Sequence, residues 1–157
     1  MGRSRLVTTS YAERWLDDWT VGEVVESRTH RMDEQRIIEF AREFDPQRFH
    51  VDATKAERTI YGGLIASGWH TGSVMMRLLT EFLGESSLGS GGGEALRWSA
   101  PVRPDDELRL RLTVLAIEPS TRRPDRGTMR VRCELLNQHD AVVMSLEPAL
   151  LLARRPE

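Results

Sequence analysis

The sequence predicts an α+β domain in which an antiparallel sheet curls around one long helix. Two segments, Leu108–Val114 and Met129–Leu135, alternate apolar and polar residues, which indicates antiparallel strands packed on one face only. The segment Leu64–Leu83 is instead apolar nearly all round, as expected of a helix that is buried on every side. A one-sided sheet can bury its apolar face against such a helix.

A single domain is expected over residues 1–157, with its core at about residues 20–153. The Gly/Ser-rich stretch Glu85–Gly93 is predicted to be a flexible loop, too short to separate two cores. Gly68 and Gly72 lie one turn apart in the predicted helix, where each costs about 1 kcal/mol relative to Ala. These two glycines favour the close approach of another backbone.

Two aspartates are predicted to begin shorter helices. Asp33 is placed to cap a helix that runs to Phe44, and Asp52 is placed to cap a short helix near residues 53–57. Residues 1–10 are interpreted as a loose polar lead-in.

The other segments are predicted from residue type and spacing. Tyr11–Trp19 has helix-like spacing but is too short to form an independent helix. Further strands are predicted at Glu23–Arg31, Ala95–Trp98 and Ala141–Ala153. Pro148 in the last of these indicates an edge or a bulge.

The composition, 39% hydrophobic and 29% charged, is that of an ordinary globular protein. A net charge of −2 without a basic stripe argues against nucleic acid as a partner. Met1–Leu6 lacks the apolar core of a signal peptide and polar residues interrupt Leu64–Leu83, so we expect a cytoplasmic protein without a membrane span. Cys133 is the only cysteine, so we expect a buried thiol, no internal disulfide and no multi-cysteine metal site.

The run Phe44–Asp52 contains the most informative pair of polar residues. Asp45 and His50 are five positions apart on one short loop, and a carboxylate with an imidazole suits general acid–base chemistry at neutral pH. The step Gly62-Gly63 follows and is predicted to open the long apolar helix. A glycine at a helix N-terminus can present unpaired N–H groups to a substrate oxygen.

Two segments together resemble the MaoC-like dehydratases, also called (R)-specific enoyl-CoA hydratases. They are the runs Phe44–Asp52 and Gly62–Thr71, and the later stretch Ala100–Leu108 is similar to the family's approach to a sheet strand. The resemblance implies the hotdog fold, a curved antiparallel sheet around one central helix. It also implies a homodimer or a higher homo-oligomer.

By this resemblance, Asp45 and His50 match the two catalytic positions of the family. Gly63 matches the glycine whose backbone N–H faces the thioester carbonyl. A family serine or threonine further along has two candidate counterparts, Ser67 and Thr71. Which member of the catalytic pair is the acid and which is the base stays open.

The catalytic run also departs from the family pattern. The usual Asn-Pro is replaced by Gln47-Arg48, the proline stands at Pro46, and the common glycine before the aspartate is Phe44. These changes put the loop geometry and the preferred acyl chain in question.

The resemblance implies the reversible hydration of a 2-enoyl-CoA thioester to a 3-hydroxyacyl-CoA. The expected partner is therefore an acyl-CoA substrate, and no metal or redox cofactor is expected. Two alternatives stay open, a hotdog acyl-CoA thioesterase and a non-catalytic acyl-CoA binding subunit.

Two further sets of residues are given structural interpretations. His70 is expected to be a hydrogen-bonded histidine of the core. The arginines of the two alternating strands are interpreted as solvated sheet surface, with contact to coenzyme A phosphates as the less favoured alternative; they are Arg109, Arg111, Arg130 and Arg132.

Overall fold

The computed structural model describes residues 14–157 and the backbone of Val7–Thr8. One sheet of six strands runs through the described part of the chain, in the order β1-β2-β4-β5-β6-β3 once the strands are numbered along the chain. The strands are β1 (Val7–Thr8), β2 (Val24–Arg31), β3 (Ser87–Trp98), β4 (Glu107–Pro119), β5 (Arg126–Leu136) and β6 (Val142–Ala153). The short β1 is parallel to β2, and the other neighbouring pairs are antiparallel.

Four α-helices accompany the sheet within residues 14–157. They are α1 (Glu34–Phe44), α2 (Arg48–Val51), α3 (Ala53–Ala56) and α4 (Gly68–Leu83). Single 3-10 turns occur at Leu16–Asp18 and Gly84–Ser86. Only α4 is long and apolar, and it packs against the sheet.

The core lies between α4 and the concave face of the sheet. Leu78 and Leu79 of α4 are buried with alternate residues of β4 and β5, in agreement with the period of two in both segments. The strand residues that face this core are Leu108, Leu110, Leu112, Val114, Met129, Val131, Cys133 and Leu135. The predicted α+β arrangement, a hotdog fold, is confirmed.

The two predicted helix N-caps are confirmed as well. Asp33 accepts a hydrogen bond from the N–H of Arg36 at 3.0 Å and caps α1. Asp52 accepts one from the N–H of Lys55 at 2.9 Å and caps α3. In both cases a side-chain oxygen satisfies an N–H that has no acceptor within the helix.

The predicted start of the long helix at Gly62–Leu64 is wrong, because α4 begins at Gly68. The backbone before it is used in other hydrogen bonds: the N–H of Ile65 bonds to the carbonyl of Phe49 at 3.0 Å, and that of Ala66 to Val102 at 2.8 Å. These groups cannot at the same time form the ladder of a helix.

The expected burial of the helix on every side is also wrong, because Trp69 and Met76 are 61% and 50% exposed. Side chains, and not another backbone, approach the two helix glycines. A Cβ on Gly68 would lie 2.6 Å from the Trp98 ring, and one on Gly72 would lie 3.4 Å from Met144. Gly68 therefore makes room for an indole against the first turn of α4.

The flexible loop predicted at Glu85–Gly93 is instead most of β3, which begins at Ser87. The strand pairs with β6 through three irregularities of register, and Gly89 and Gly92 have φ of +111° and +134°. Only glycine adopts these dihedral angles without strain, so the glycines that suggested a loop instead permit a bulged strand. Pro148 pairs with Gly93 in this irregular region and marks a bulge and not an edge.

At the N-terminus, the interpretation of residues 1–10 as a loose lead-in is wrong for Val7–Thr8, which pair with β2. The other residues of that segment, and Tyr11 to Glu13, lie outside the described residues. Within the remainder of the predicted Tyr11–Trp19 helix, one 3-10 turn forms at Leu16–Asp18.

Candidate active site

The candidate site is a cavity of about 470 Å³ beside the first turn of α4. One wall comes from the turn after α1 and from α2, which carry Asp45 and His50 respectively. A second wall comes from the end of β3 and the chain that follows it, and the lining also includes Tyr61, the chain before α4 and the start of α4. The residues of the second wall are Trp98, Ser99, Ala100, Pro101 and Val102.

Asp45 is fixed at the C-terminal end of α1, where its N–H bonds to the carbonyl of Ala41 at 2.9 Å. Its carboxylate accepts two side-chain hydrogen bonds, from Oγ of Ser67 at 2.7 Å and from Nε2 of Gln47 at 2.8 Å. Burial raises the pKa of Asp45, but these hydrogen bonds and the neighbouring His50 together lower it below its ordinary value. The carboxyl group is therefore ionised at neutral pH.

His50 is 4% exposed and lies in α2. Its Nδ1 is 2.8 Å from the carbonyl oxygen of Ile65, and since a carbonyl can only accept, Nδ1 carries a proton. The other nitrogen, Nε2, lies 3.3 Å from Oδ2 of Asp45. Nε2 is consequently the nitrogen that can gain or lose a proton inside the cavity.

Ser67 and Thr71, the two candidates for the family hydroxyl, occupy different positions. The Ser67 hydroxyl donates to Asp45, and its oxygen also accepts from the N–H of Trp69 as the N-cap of α4. Thr71 is buried and lines the cavity, while its Oγ1 lies 3.4 Å from the carbonyl of Ser67. Of the two, Ser67 is the one that contacts Asp45.

Gly63 lies in the turn that precedes α4, and an added Cβ there would lie 3.3 Å from a guanidinium nitrogen of Arg103. Gly68, and not Gly63, lines the cavity and occupies the first position of α4. The N–H groups of a first helical turn have no acceptor within the helix and carry the positive end of its dipole. The helix N-terminus expected at Gly63 is thus five residues further along the chain.

Three participants in this site were not expected from the sequence. In the sequence Gln47 is only a departure from the family pattern, although its position two residues after Asp45 could indicate a local side-chain contact. Trp98 donates from Nε1 to the carbonyl of Gly68 at 2.9 Å, across 30 positions of sequence. No local signal in the sequence could have placed Trp98 or Gly68 there.

His70 and Cys133 do not line the candidate cavity. The Nδ1 of His70 has no hydrogen-bond partner among the described residues, so its interpretation as a hydrogen-bonded histidine is wrong for that atom. His70 instead stacks on Phe40 with ring centroids 4.9 Å apart. Cys133 is buried, and burial raises the pKa of its thiol to about 12, as expected of an inert core residue.

The described residues contain neither a cluster suited to a metal ion nor a helix suited to span a membrane. Among residues 14–157, no three His, Cys, Asp or Glu side chains come together in a way that could hold a metal ion. None of the helices in the described part of the chain has the length and hydropathy needed to cross a membrane.

Comparison with known proteins places this geometry in a family. The model of the MaoC like domain matches residues 18–134. The chain belongs to this family. It is 33% identical over 141 residues to the Bacillus subtilis (strain 168) protein YdeM, with 88% of this chain and 99% of that protein covered.

Two solved structures are also similar to this chain. The MaoC-like dehydratase from Rhodospirillum rubrum is 42% identical with a TM-score of 0.85, over 92% of this chain and 99% of that one. The (R)-hydratase PhaJ1 from Pseudomonas aeruginosa is 26% identical with a TM-score of 0.70, over 90% of this chain and 86% of that one.

The substitution Gln47→Leu is expected to raise the pKa of Asp45, because the carboxylate loses a donor that stabilises its charged form. Gln35→Leu is the matched control, since Gln35 bonds to Glu39 on the outer face of α1. The pKa can be read from the carboxyl ¹³C shift of Asp45 during an NMR titration. An unchanged titration in Gln47→Leu would show that this contact does not hold the carboxylate.

Proposed function

We propose that this MaoC-like protein hydrates a 2-enoyl-CoA thioester to the 3-hydroxyacyl-CoA, and catalyses the reverse dehydration. The observation that carries the proposal is the pair formed by ionised Asp45 and Nε2 of His50, 3.3 Å apart in one cavity. The similarity to a MaoC-like dehydratase and to an (R)-hydratase supports the same class of reaction.

In the proposed hydration, Asp45 acts as the base and His50 as the acid. The Asp45 carboxylate takes a proton from water while the water oxygen bonds to C3 of the substrate. The electron pair of the double bond moves onto the thioester as an enolate, and His50, as imidazolium, donates its Nε2 proton to C2. The proton on Asp45 then passes to Nε2 of His50, which restores both groups and completes the addition of one water.

The negative charge that develops on the thioester oxygen requires a donor that is fixed in advance. We assign this role to the first turn of α4, where Gly68 lines the cavity. The Ser67 hydroxyl has a different role, because it donates a hydrogen bond to Asp45 and caps the same turn of α4. The role that the family resemblance gives to Gly63 stays a prediction.

A second cavity, of about 390 Å³, offers a place for the acyl group. Trp69 lines both cavities, and the side chains around the second are mostly apolar. Those of α4 and β6 include Met75, Met76, Leu79, Met144 and Leu146. An apolar chain attached to a thioester in the first cavity could bury its surface here.

Asp45→Asn and His50→Gln are each expected to lower kcat/KM for crotonyl-CoA hydration by about 10²–10⁴-fold, because each removes one proton-transfer group. His139→Gln, in the exposed turn between β5 and β6, is the control and should leave the rate unchanged. The loss of enoyl-thioester absorbance measures the reaction. Rates within a few-fold of wild type in both catalytic variants would overturn the assignment.

The pH dependence of kcat/KM tests which group is the base. With Asp45 as the base, its lowered pKa keeps it ionised down to acid pH, so the acid limb should lie below the ordinary carboxyl pKa of about 3.9. An acid limb well above the ordinary carboxyl pKa would instead exclude Asp45 as the base.

The two alternative functions predict different results with the same substrate. A thioesterase would release free coenzyme A thiol from crotonyl-CoA, which a thiol reagent detects. A non-catalytic subunit would bind acyl-CoA tightly without turnover at any chain length. The adjacent Asp45 and His50 favour hydration, because they provide one group to accept a proton and another to supply one.

We also propose a homodimer formed along β3. This strand is exposed over its whole length in the single chain, and it borders an apolar surface at one end of the candidate site. The exposed apolar residues of this surface are Trp69, Met76, Leu88, Leu96 and Trp98. An unpaired strand edge next to such a patch is typical of an interface. Cytoplasmic location and the absence of a cofactor stay predictions.

Leu88→Asp is expected to shift the protein from dimer towards monomer in sedimentation equilibrium, because it places a charge within the proposed interface. Val21→Asp is the control, since Val21 is 56% exposed in the turn that leads into β2, at the other end of the sheet order. A wild-type protein that sediments as a monomer would exclude the homodimer. Equal effects of both substitutions would place the interface elsewhere.

A further inference from the structure

The arginines of the sheet surface are engaged with carboxylates. Arg109 lies 3.2 Å from Glu26 and 2.6 Å from Asp140, and Arg111 lies 3.0 Å from the same Glu26. Arg130 and Arg132 pair with Glu94 and Glu147 at 3.8 and 2.9 Å. Their charges are largely compensated within the chain, which makes these four arginines poor candidates for binding a phosphate.

Arg103 differs from them in both position and partners. It directly follows Val102, the last cavity-lining residue of the chain between β3 and β4. Its Nη2 donates to the carbonyl of Tyr61 at 2.6 Å, and Tyr61 lines the same cavity. The guanidinium is therefore held at the rim of the candidate site.

The charge of Arg103 is not neutralised by the described part of the chain, in which the guanidinium forms no ion pair. The two nearby carboxylates have other partners. Asp105 pairs with Arg31, and Asp106 accepts from the backbone N–H of Arg103 at 2.8 Å and from Gln138 at 2.9 Å. A fixed and exposed guanidinium with free N–H groups is suited to bind an anion, above all a phosphate.

The path from the catalytic pair to Arg103 runs through aromatic rings. The Phe49 ring lies 4.5 Å from the His50 ring and 5.0 Å from the Tyr61 ring, centroid to centroid, and Arg103 contacts the Tyr61 carbonyl. In a coenzyme A thioester the pantetheine arm separates the reacting carbonyl from the phosphates. A phosphate contact is thus required at the rim and not beside Asp45 and His50.

We propose that Arg103 binds a phosphate of the group that carries the acyl thioester. The inference rests on the proposed function, because it takes the thioester to react at Asp45 and His50. The shared chemistry is a phosphate at the far end of a pantetheine arm, which occurs both in coenzyme A and in the prosthetic group of an acyl carrier protein.

Binding of unreactive ligands tests this proposal independently of turnover. The ligands are butyryl-CoA, S-butyryl-4′-phosphopantetheine and S-butyryl-pantetheine, which differ in their phosphates but share the acyl thioester. Arg103→Ala is expected to raise the Kd of butyryl-CoA by about tenfold, the loss of a charge-assisted hydrogen bond, and to leave that of the pantetheine ester unchanged. Arg103→Lys should recover part of the affinity, because it keeps the charge.

The phosphopantetheine ester distinguishes the two sources of the phosphate. Weaker binding of this ligand by Arg103→Ala places the contact at the 4′-phosphate, which coenzyme A and a carrier protein share. An effect on butyryl-CoA alone places the contact in the adenosine 3′,5′-bisphosphate part, which 4′-phosphopantetheine lacks, and restricts the site to coenzyme A.

Arg122→Ala is the matched control, since Arg122 is an exposed arginine in the turn between β4 and β5. An equal loss of affinity for all three ligands would mean that Arg103 only supports the Tyr61 loop, and unchanged affinities would exclude the contact; either result overturns the proposal. Hydration of crotonyl-CoA is measured in parallel on the wild type. Phosphate-dependent binding without hydration would reject the proposed function alone, and hydration with unchanged Kd in Arg103→Ala would reject this inference alone.

Discussion

The site depends on a reciprocal exchange of two hydrogen bonds between α2, which carries His50, and the chain before α4. The imidazole of His50 donates from Nδ1 to the carbonyl of Ile65, while the N–H of Ile65 bonds to the carbonyl of Phe49. This exchange fixes the histidine tautomer, so that only Nε2 faces Asp45. It also keeps the chain extended up to Ser67, which can then cap α4 and donate to the carboxylate in the same position.

The surroundings of Asp45 have opposing effects on the pKa of its carboxyl group. Partial burial favours the neutral acid, while two donors and an adjacent imidazole favour the carboxylate, and the second set prevails. One of the donors is Gln47, which stands where the family pattern has asparagine. The residue at this departure from the family pattern thus provides a donor amide to the carboxylate.

The parts of the fold that local chemistry determines were predictable from the sequence. The caps at Asp33 and Asp52 and the alternation along β4 and β5 each depend on a few neighbouring residues. The start of α4 and the strand β3 were not predictable, because each is decided by partners distant in sequence: Val102 bonds to the chain before α4, and β6 pairs with β3. Asp45 and His50 could be predicted as a pair from their spacing and the family resemblance, whereas Trp98 reaches the site only through the tertiary fold.

The burial of Cys133 allows selective labelling of a cysteine that is added at the protein surface. Its thiol is fully enclosed and, with a pKa of about 12, is almost entirely protonated at neutral pH, so maleimide reagents should not modify it in the folded state. Because it is the only cysteine, a new cysteine on the surface would be the single reactive site. Fluorophores or spin labels could thus be attached at chosen positions of the native chain without first replacing a core residue.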